Sequence, residues 1–436
     1  MSVTTGTFPG VRIADMPDLG AATSSSSLVG ERAGSGRFRL PAVRDYVMTS
    51  LGAVSIVQYG GVGDATTDNL AAINAAIAAL PFGGTISIPP GNYLSSGPIT
   101  LPTGVSLRGA GRAASTLTMA CNANPNILLN TSCGISNLQI TGLGTQTGAM
   151  IEMQGNAGSV RDFTLQNYFN GIVIQGVSAS VLAVGATVSD GSMFSPLAGG
   201  AGIVIDNFGG CMVTNMVLAG PMTGTQPNAC IIVRNGDTLL LSNINATFHG
   251  PFLVGPPASN NTFALTITNC LFDSAKGSSA AMFIPGGGVF DTLISNTWFG
   301  LSAGHGLVIQ PAAPSGTVNG MEVTGCQFCA NAGGSGVRIT GAGAGVSGIN
   351  IIGGRSEANS SNGAHVDGTP VNGITFNGFR AGNYGGRGGN AGAGILTAGG
   401  LDHYVITNCS LYGNTGSPLS DTATGTNKLV FNNLVT

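Results

Sequence analysis

Placed on the repeat described below, the residues of this chain best suited to chemistry lie between Asp273 and Asp367. Trp298 is the only tryptophan. It is expected to point outward, with Asp273 one repeat below it and Arg355 two repeats above. An exposed aromatic plane flanked by charge suits a sugar, whose C–H faces stack while its hydroxyls take hydrogen bonds. Glu357 shares the column of Asp273 but stands three repeats away, roughly 14 Å, too far for direct partnership. His365 and Asp367 point the same way on one strand, and Arg338 is the neighbour of His365 on the adjacent repeat. Such a group could bind an acidic sugar or poise a base, and it reads equally well as a surface polar patch. Glycosidic hydrolysis needs two carboxyls about 5–9.5 Å apart. Asp291 and Glu322, on neighbouring repeats, are the pair that comes nearest, at an expected separation of about 8–10 Å. No catalytic set is complete, so catalytic residues stay unassigned, with Asp291, Glu322, His365 and Asp367 as candidates. Trp298, Asp273, Arg355, Glu357 and Arg338 are the candidates for binding.

What must position these residues is a degenerate rung. An apolar, polar, Asn/Gly step recurs at Asn215, Asn243, Asn269, Asn296, Gly325, Gly353 and Asn408, and the first five spacings are 28, 26, 27, 29 and 28 residues. A period in the twenties, built from short β-branched runs and Asn/Gly turns, predicts a solenoid. Strand alternation assigns faces. Cys270, Thr297 and Cys326 should look inward with Phe272, Phe299 and Phe328. Leu271, Trp298, Gln327 and Arg355 should look outward, followed by an outward column of Asp273, Gly300, Cys329 and Glu357. A second strand follows a glycine in each rung, and its outward column reads Val173, Val204, Val308, Arg338, His365 and Leu396. Four of these six are aliphatic, more than a solvated face should show. Either loops cover them or they form a protein interface, and the second reading predicts a closed homotrimer.

Composition agrees with stacked strands. The chain has 72 Gly among its 436 residues and only 8% charged residues. A net charge of −3 argues against a nucleic-acid partner and against a polybasic membrane face. No run of 18 apolar residues suggests membrane insertion, and the first residues lack the pattern of a secretory signal. Three of the eight cysteines (Cys270, Cys326 and Cys409) share one repeat position and read as small buried hydrophobes. Cys326-Gln327-Phe328-Cys329 is formally a C-x-x-C. It has no second pair or histidines at metal spacing, so neither a metal nor any cofactor is expected.

Three regions follow in order. Residues 1–50 are Gly/Ser-rich, carry five arginines and have helical promise only from Pro41 to Ser50. Such a segment orders against something else and reads as an anchor. Residues 51–111 hold a strand at Ile56–Gly60, a Gly-rich turn and a helix from about Thr67 to Leu80, capped by Thr67 or Asp68, which would close the open end of the solenoid. Residues 112–436 form the solenoid itself.

Val57-Gln58-Tyr59-Gly60-Gly61-Val62-Gly63-Asp64-Ala65-Thr66-Thr67-Asp68 resembles the opening motif of the pectate-lyase-like superfamily. So do Ile88-Pro89-Pro90-Gly91-Asn92-Tyr93 and Leu107-Arg108-Gly109-Ala110-Gly111. The resemblance implies an all-β, right-handed parallel β-helix with a capping helix and an extended N-terminal anchor. That superfamily spans pectin lyases, polygalacturonases, epimerases and phage tailspikes, so the motifs specify fold better than function. The polygalacturonase signature is only echoed, by Gly304-His305-Gly306 and Val337-Arg338-Ile339-Thr340, and the chain has no Asp-Asp pair. Residues 13–47 are similar to the attachment segments that precede β-helices in phage spikes. Together these resemblances imply a virion-attached homotrimeric spike, tied to virion proteins through residues 1–50 and recognising a host-surface polysaccharide. The alternatives are a depolymerase that cuts the glycan and a purely structural decoration protein.

Overall fold

The computed structural model of the chain describes residues 52–178 and 180–435, together with the backbone of two antiparallel strands, Ser27–Val29 and Arg37–Arg39. The anchor reading of residues 1–50 and the helix expected at 41–50 otherwise lie outside the described residues. Strand makes up 53% of the chain and helix 3%, wound into a parallel β-helix of about 14 turns. The mean rung of about 27 residues is set by three short strands per turn, so each turn adds one strand to each of three parallel stacks.

The first stack holds the repeat that the sequence displays, for example Asn261–Thr268, Gly288–Ser295 and Thr317–Thr324. The second follows at once with Leu271–Asp273, Trp298–Gly300, Gln327–Cys329 and Arg355–Glu357. The third holds Ala281–Phe283 and Leu307–Ile309, then the opening halves of Val337–Ile352 and Ala364–Asn377. The Asn/Gly step is the corner between the first two stacks. Asn215, Asn243, Asn269, Asn296 and Asn408 all have φ between 50° and 55°, and Gly325 and Gly353 lie at 65° and 63°. Asparagine and glycine recur there because the left-handed region is costly for most other residues.

Inside the coil, like stacks on like. Phe252, Phe272, Phe299 and Phe328 form a run of rings with centroids 5.0, 5.8 and 5.5 Å apart. Val213, Leu241, Ile267, Ile294, Val323, Ile351 and Ile406 form the matching aliphatic column, all buried. Where the second stack turns toward the third, a buried ladder of side-chain amides runs Asn331, Asn359, Asn390, Asn414, each Nδ2 donating to the next Oδ1 at 2.8 Å. The amides satisfy one another along the axis, so the corner can be both polar and dry. Cys270, Cys326 and Cys409 are buried free thiols whose pKa burial pushes up to about 11, the behaviour of small hydrophobes.

The first coil departs from expectation in two places. Ile56–Tyr59 is a short 3-10 helix rather than a strand, because Gly61 N–H donates back to Ile56 O at 2.9 Å and Gly60 takes φ 90°. The helix α1 spans Leu70–Ala78, shorter than 67–80, and its N-cap is Asn69. The Asn69 amide is drawn away to Val62, accepting from its N–H at 2.7 Å, while Asp68 Oδ1 accepts from Leu70 N–H at 3.1 Å. Ala72, Ile73 and Ala76 pack down onto the coil.

Candidate functional site

The third stack carries one continuous outward column. Strand register runs it from Glu152 through Val173, Val204, Ile232, Leu253, Met282 and Val308 to Arg338, His365 and Leu396. All six residues that alternation placed in this column are there. Val173, Val204 and Val308 are only 7%, 8% and 3% exposed within one chain, in line with the reading that these positions are covered. Phe169, Gly199 and Asn228 flank the column at its low-numbered end and Ser278 touches Met282 further along, so the column forms the floor of a trough. Hence Val308 is not the open subunit contact that the sequence suggested.

The high-numbered end of the trough is charged. Arg338 Nη2 lies 2.8 Å from both Asp367 oxygens, and His365 Nε2 lies 3.3 Å from Asp367 Oδ2. Burial works to raise the Asp367 carboxyl. Hydrogen bonds from Arg338 and Thr340 and the Arg338 charge outweigh it and hold the group below its usual range. Burial, then the Arg338 charge, keeps His365 below the usual imidazole range. His305 belongs to the same group. Its Nδ1 accepts from Ser335 N–H at 2.8 Å, and burial and Arg338 push its pKa down. Arg338 Nη1 is buried and makes no hydrogen bond among the described residues. The cluster is therefore an anion, a partly exposed cation whose unbonded Nη1 is closed off from the surface, and two neutral imidazoles. It can donate to ligand hydroxyls or carboxylates, but it holds one carboxylate rather than the two that paired-carboxyl hydrolysis uses.

The low-numbered end opens into a cavity of about 310 Å3, lined by Glu152, Phe169, Asn170, Gln175, Asn228 and Arg234 around the aliphatic floor. No single-residue signal in the sequence pointed to this place, because its lining comes from five successive rungs.

The Trp298 group is assembled on the second stack, a different side of the coil. Trp298 Nε1 donates to Asp273 Oδ1 at 3.0 Å, and the Arg387 guanidinium lies 5.1 Å from the indole centroid. Arg355 stands two rungs above, bonded to Gln327 Oε1 at 3.1 and 2.8 Å. Glu357 and Cys329 were expected to face outward, yet both are fully buried. The segment around Gly385 folds over them. Gly385 N–H donates to Glu357 Oε2 at 2.6 Å, and Arg355 Nη1 lies 3.6 Å from Oε1. Arg387 is the residue missed here. It lies in a glycine-rich stretch with no period to place it.

Asp291 and Glu322 are exposed on the first stack and offset by two positions, Asp291 lying beside Gly320 and Glu322 beside Leu293. Glu322 Oε1 accepts from Thr324 at 3.0 Å. Among the described residues no hydrogen bond joins the two carboxyls. Among the described residues no group of three or more His, Cys, Asp or Glu is placed to hold a metal, and no helix is long and apolar enough to cross a membrane.

Comparison with known proteins gives a consistent fold. Residues 53–236 match the family described as rhamnogalacturonase A/epimerase, pectate lyase-like. The tail spike protein of Shigella phage Sf6 is 41% identical over 69 residues, which is 14% of this chain and 11% of that spike. The chain thus spans a small part of the length of that relative. Among solved structures, a mutant tailspike of E. coli bacteriophage HK620 in complex with a pentasaccharide aligns over 93% of this chain and 82% of that one, at 15% identity and a TM-score of 0.63. The A-module of the Azotobacter vinelandii mannuronan C-5 epimerase AlgE6 aligns over 87% and 98%, at 15% identity and a TM-score of 0.57.

Proposed function

We propose that this parallel β-helix, whose residues 53–236 match a pectate-lyase-like family model, is a virion-attached spike of the tailspike type that recognises a bacterial surface polysaccharide along the third-stack trough. The observation that carries this reading is the trough itself. From Glu152 to His365 it covers eight rung steps, roughly 38 Å, with an apolar floor and charged groups at both ends. A linear glycan presents C–H faces to such a floor and hydroxyls to such a rim. In this reading Arg338 donates to the glycan, His365 turns its Nε2–H to Asp367 and offers Nδ1 as an acceptor, and Asp367 holds the guanidinium in place.

The spike is a homotrimer in this account, attached to virion proteins through residues 1–50. The subunit contact falls on the first stack, where Met212, Phe263 and Leu293 are 42%, 39% and 40% exposed and no connection covers them. A second reading has a specific observation behind it. Arg355, Arg380 and Arg387 lie around Trp298 and Tyr384, and this cationic aromatic patch suits an acidic glycan.

The test is calorimetric titration of the whole chain with lipopolysaccharide-derived and capsular polysaccharides from candidate hosts, run beside an assay for new reducing ends or unsaturated uronate absorbance. Saturable binding without cleavage is the expected result. Cleavage would make the chain a depolymerase, and no binding to any of them would leave only a structural role.

A further inference from the structure

We propose that the cavity at the low-numbered end of the trough is a subsite for an uncharged sugar unit bearing a methyl group, such as an N-acetylated or 6-deoxy hexose. This rests on the trough being the glycan surface and says which unit that end selects.

The floor there is a separate apolar cluster, outside the wall of the coil. Ala149, Val173, Ala201 and Val204 pack together, with Ile232 against them. Around this floor stand polar groups whose positions are fixed. Asn170 Oδ1 accepts from Ala201 N–H at 3.1 Å, which leaves its amide donors to face the cavity. Asn228 Nδ2 donates to Gly199 O at 2.6 Å, which leaves its carbonyl oxygen as an acceptor. Glu152 takes one bond from Gln154 Nε2 at 2.5 Å and keeps its second oxygen.

A ring of amides and one carboxylate around an aliphatic base reads hydroxyls at its rim and a methyl at its centre. A hydroxymethyl pressed onto Val173 and Val204 would lose its water and find no partner, whereas a methyl gains from burial. Charge sets the second preference. Arg234 is the only cation lining the cavity, and it lies 3.6 Å from Asp206, so its charge is already answered. Glu152 is left facing the ligand, which disfavours a uronate.

The experiment is saturation-transfer NMR on the whole chain with N-acetylglucosamine, rhamnose, glucose and glucuronate, each at millimolar concentration. Rhamnose and N-acetylglucosamine should bind about four- to tenfold more tightly than glucose, the factor supplied by one well-placed methyl. Glucuronate should bind least. Val204→Thr keeps the shape but puts a hydroxyl in the floor, and should erase the preference over glucose. Glu152→Gln should raise glucuronate toward the level of glucose. Melting curves of both variants establish that the coil is intact, since each lies outside the inner stack.

Equal signals for glucose and rhamnose, or a preference unchanged in Val204→Thr, would overturn the assignment. So would a change of oligomeric state in either variant, which would give this face to a second copy of the chain. If a host polysaccharide binds through Arg338 while none of these sugars does, the cavity assignment alone falls. If no polysaccharide binds at all, the trough reading falls with it.

Discussion

Two outer surfaces of the same coil, over the third and the first stacks, carry similar aliphatic side chains and treat them in opposite ways. Val173, Val204 and Val308 point away from the coil axis and are nonetheless buried, because the connections on that side rise beside the strands. Met212, Phe263 and Leu293 point outward just as plainly and stay exposed, because the first stack runs straight into the second through a single Asn/Gly corner. Strand alternation therefore decides direction, and the length of the following connection decides burial. A side chain in the first situation belongs to the fold or to a small ligand; one in the second is free to meet another subunit.

Val308→Asp should destabilise the monomer by about 3–5 kcal/mol, because the carboxylate would be closed in beneath the trough walls. Leu293→Asp should leave the melting temperature of the isolated coil almost unchanged and should lower the trimer fraction in light scattering. If Val308→Asp dissociates a folded protein while Leu293→Asp does nothing, the roles of the two faces are reversed.

Acid should act first through the buried histidines. His249 is buried against Tyr168, with its Nδ1 accepting from Gly250 N–H at 3.0 Å, and burial pushes its pKa down to about 3. The unfolded chain holds that proton from about pH 6.5 downward while the folded chain refuses it. Stability should therefore fall as pH drops from about 6.5 toward 3, by at most about 1.4 kcal/mol per pH unit from this residue. His365, also depressed by burial, adds in the same direction. Denaturant titrations across this range should show a shallower slope for His249→Gln, and an unchanged slope would remove His249 as the cause.

Binding effects come next in size. Arg338→Ala should weaken polysaccharide binding by about 1–3 kcal/mol, the scale of losing a well-placed charged anchor. Asp367→Asn should weaken it less, since it holds Arg338 rather than the glycan. The smallest effect is expected on the second stack, where Arg355→Ala should matter only for an acidic glycan and should fade as salt rises.

How much of this was legible in the sequence follows from how many residues each feature needs. The coil was readable because its signal repeats: an inward Ile or Val, a Thr or Ser, then an Asn or Gly in the left-handed region, at every rung. The Arg338, His365 and Asp367 cluster was readable for the same reason, since register within a stack follows from the period. The exposure of Glu357, Cys329 and Val308 was not readable. Each is covered by a segment with no repeat of its own, such as the glycine-rich stretch that brings Gly385 to Glu357 and Arg387 to Trp298. The cavity was hidden for a related reason. Glu152, Phe169, Asn228 and Arg234 lie up to 82 residues apart, on three rungs whose connections differ in length. The end of α1 was misplaced by a local competition, in which the Asn69 amide bonded Val62.

The most direct measurement uses the fact that Trp298 is the sole tryptophan and sits on the second stack, away from the trough. Indole fluorescence is followed while a bound host polysaccharide is titrated into the native chain and into Arg338→Ala, with calorimetry recording binding in parallel. Glycan bound along the trough should give a saturating heat signal, little change in Trp298 emission, and a marked loss of affinity in Arg338→Ala. Emission that tracks the binding curve, with affinity unchanged in Arg338→Ala, would contradict it and move the glycan to the Trp298 face.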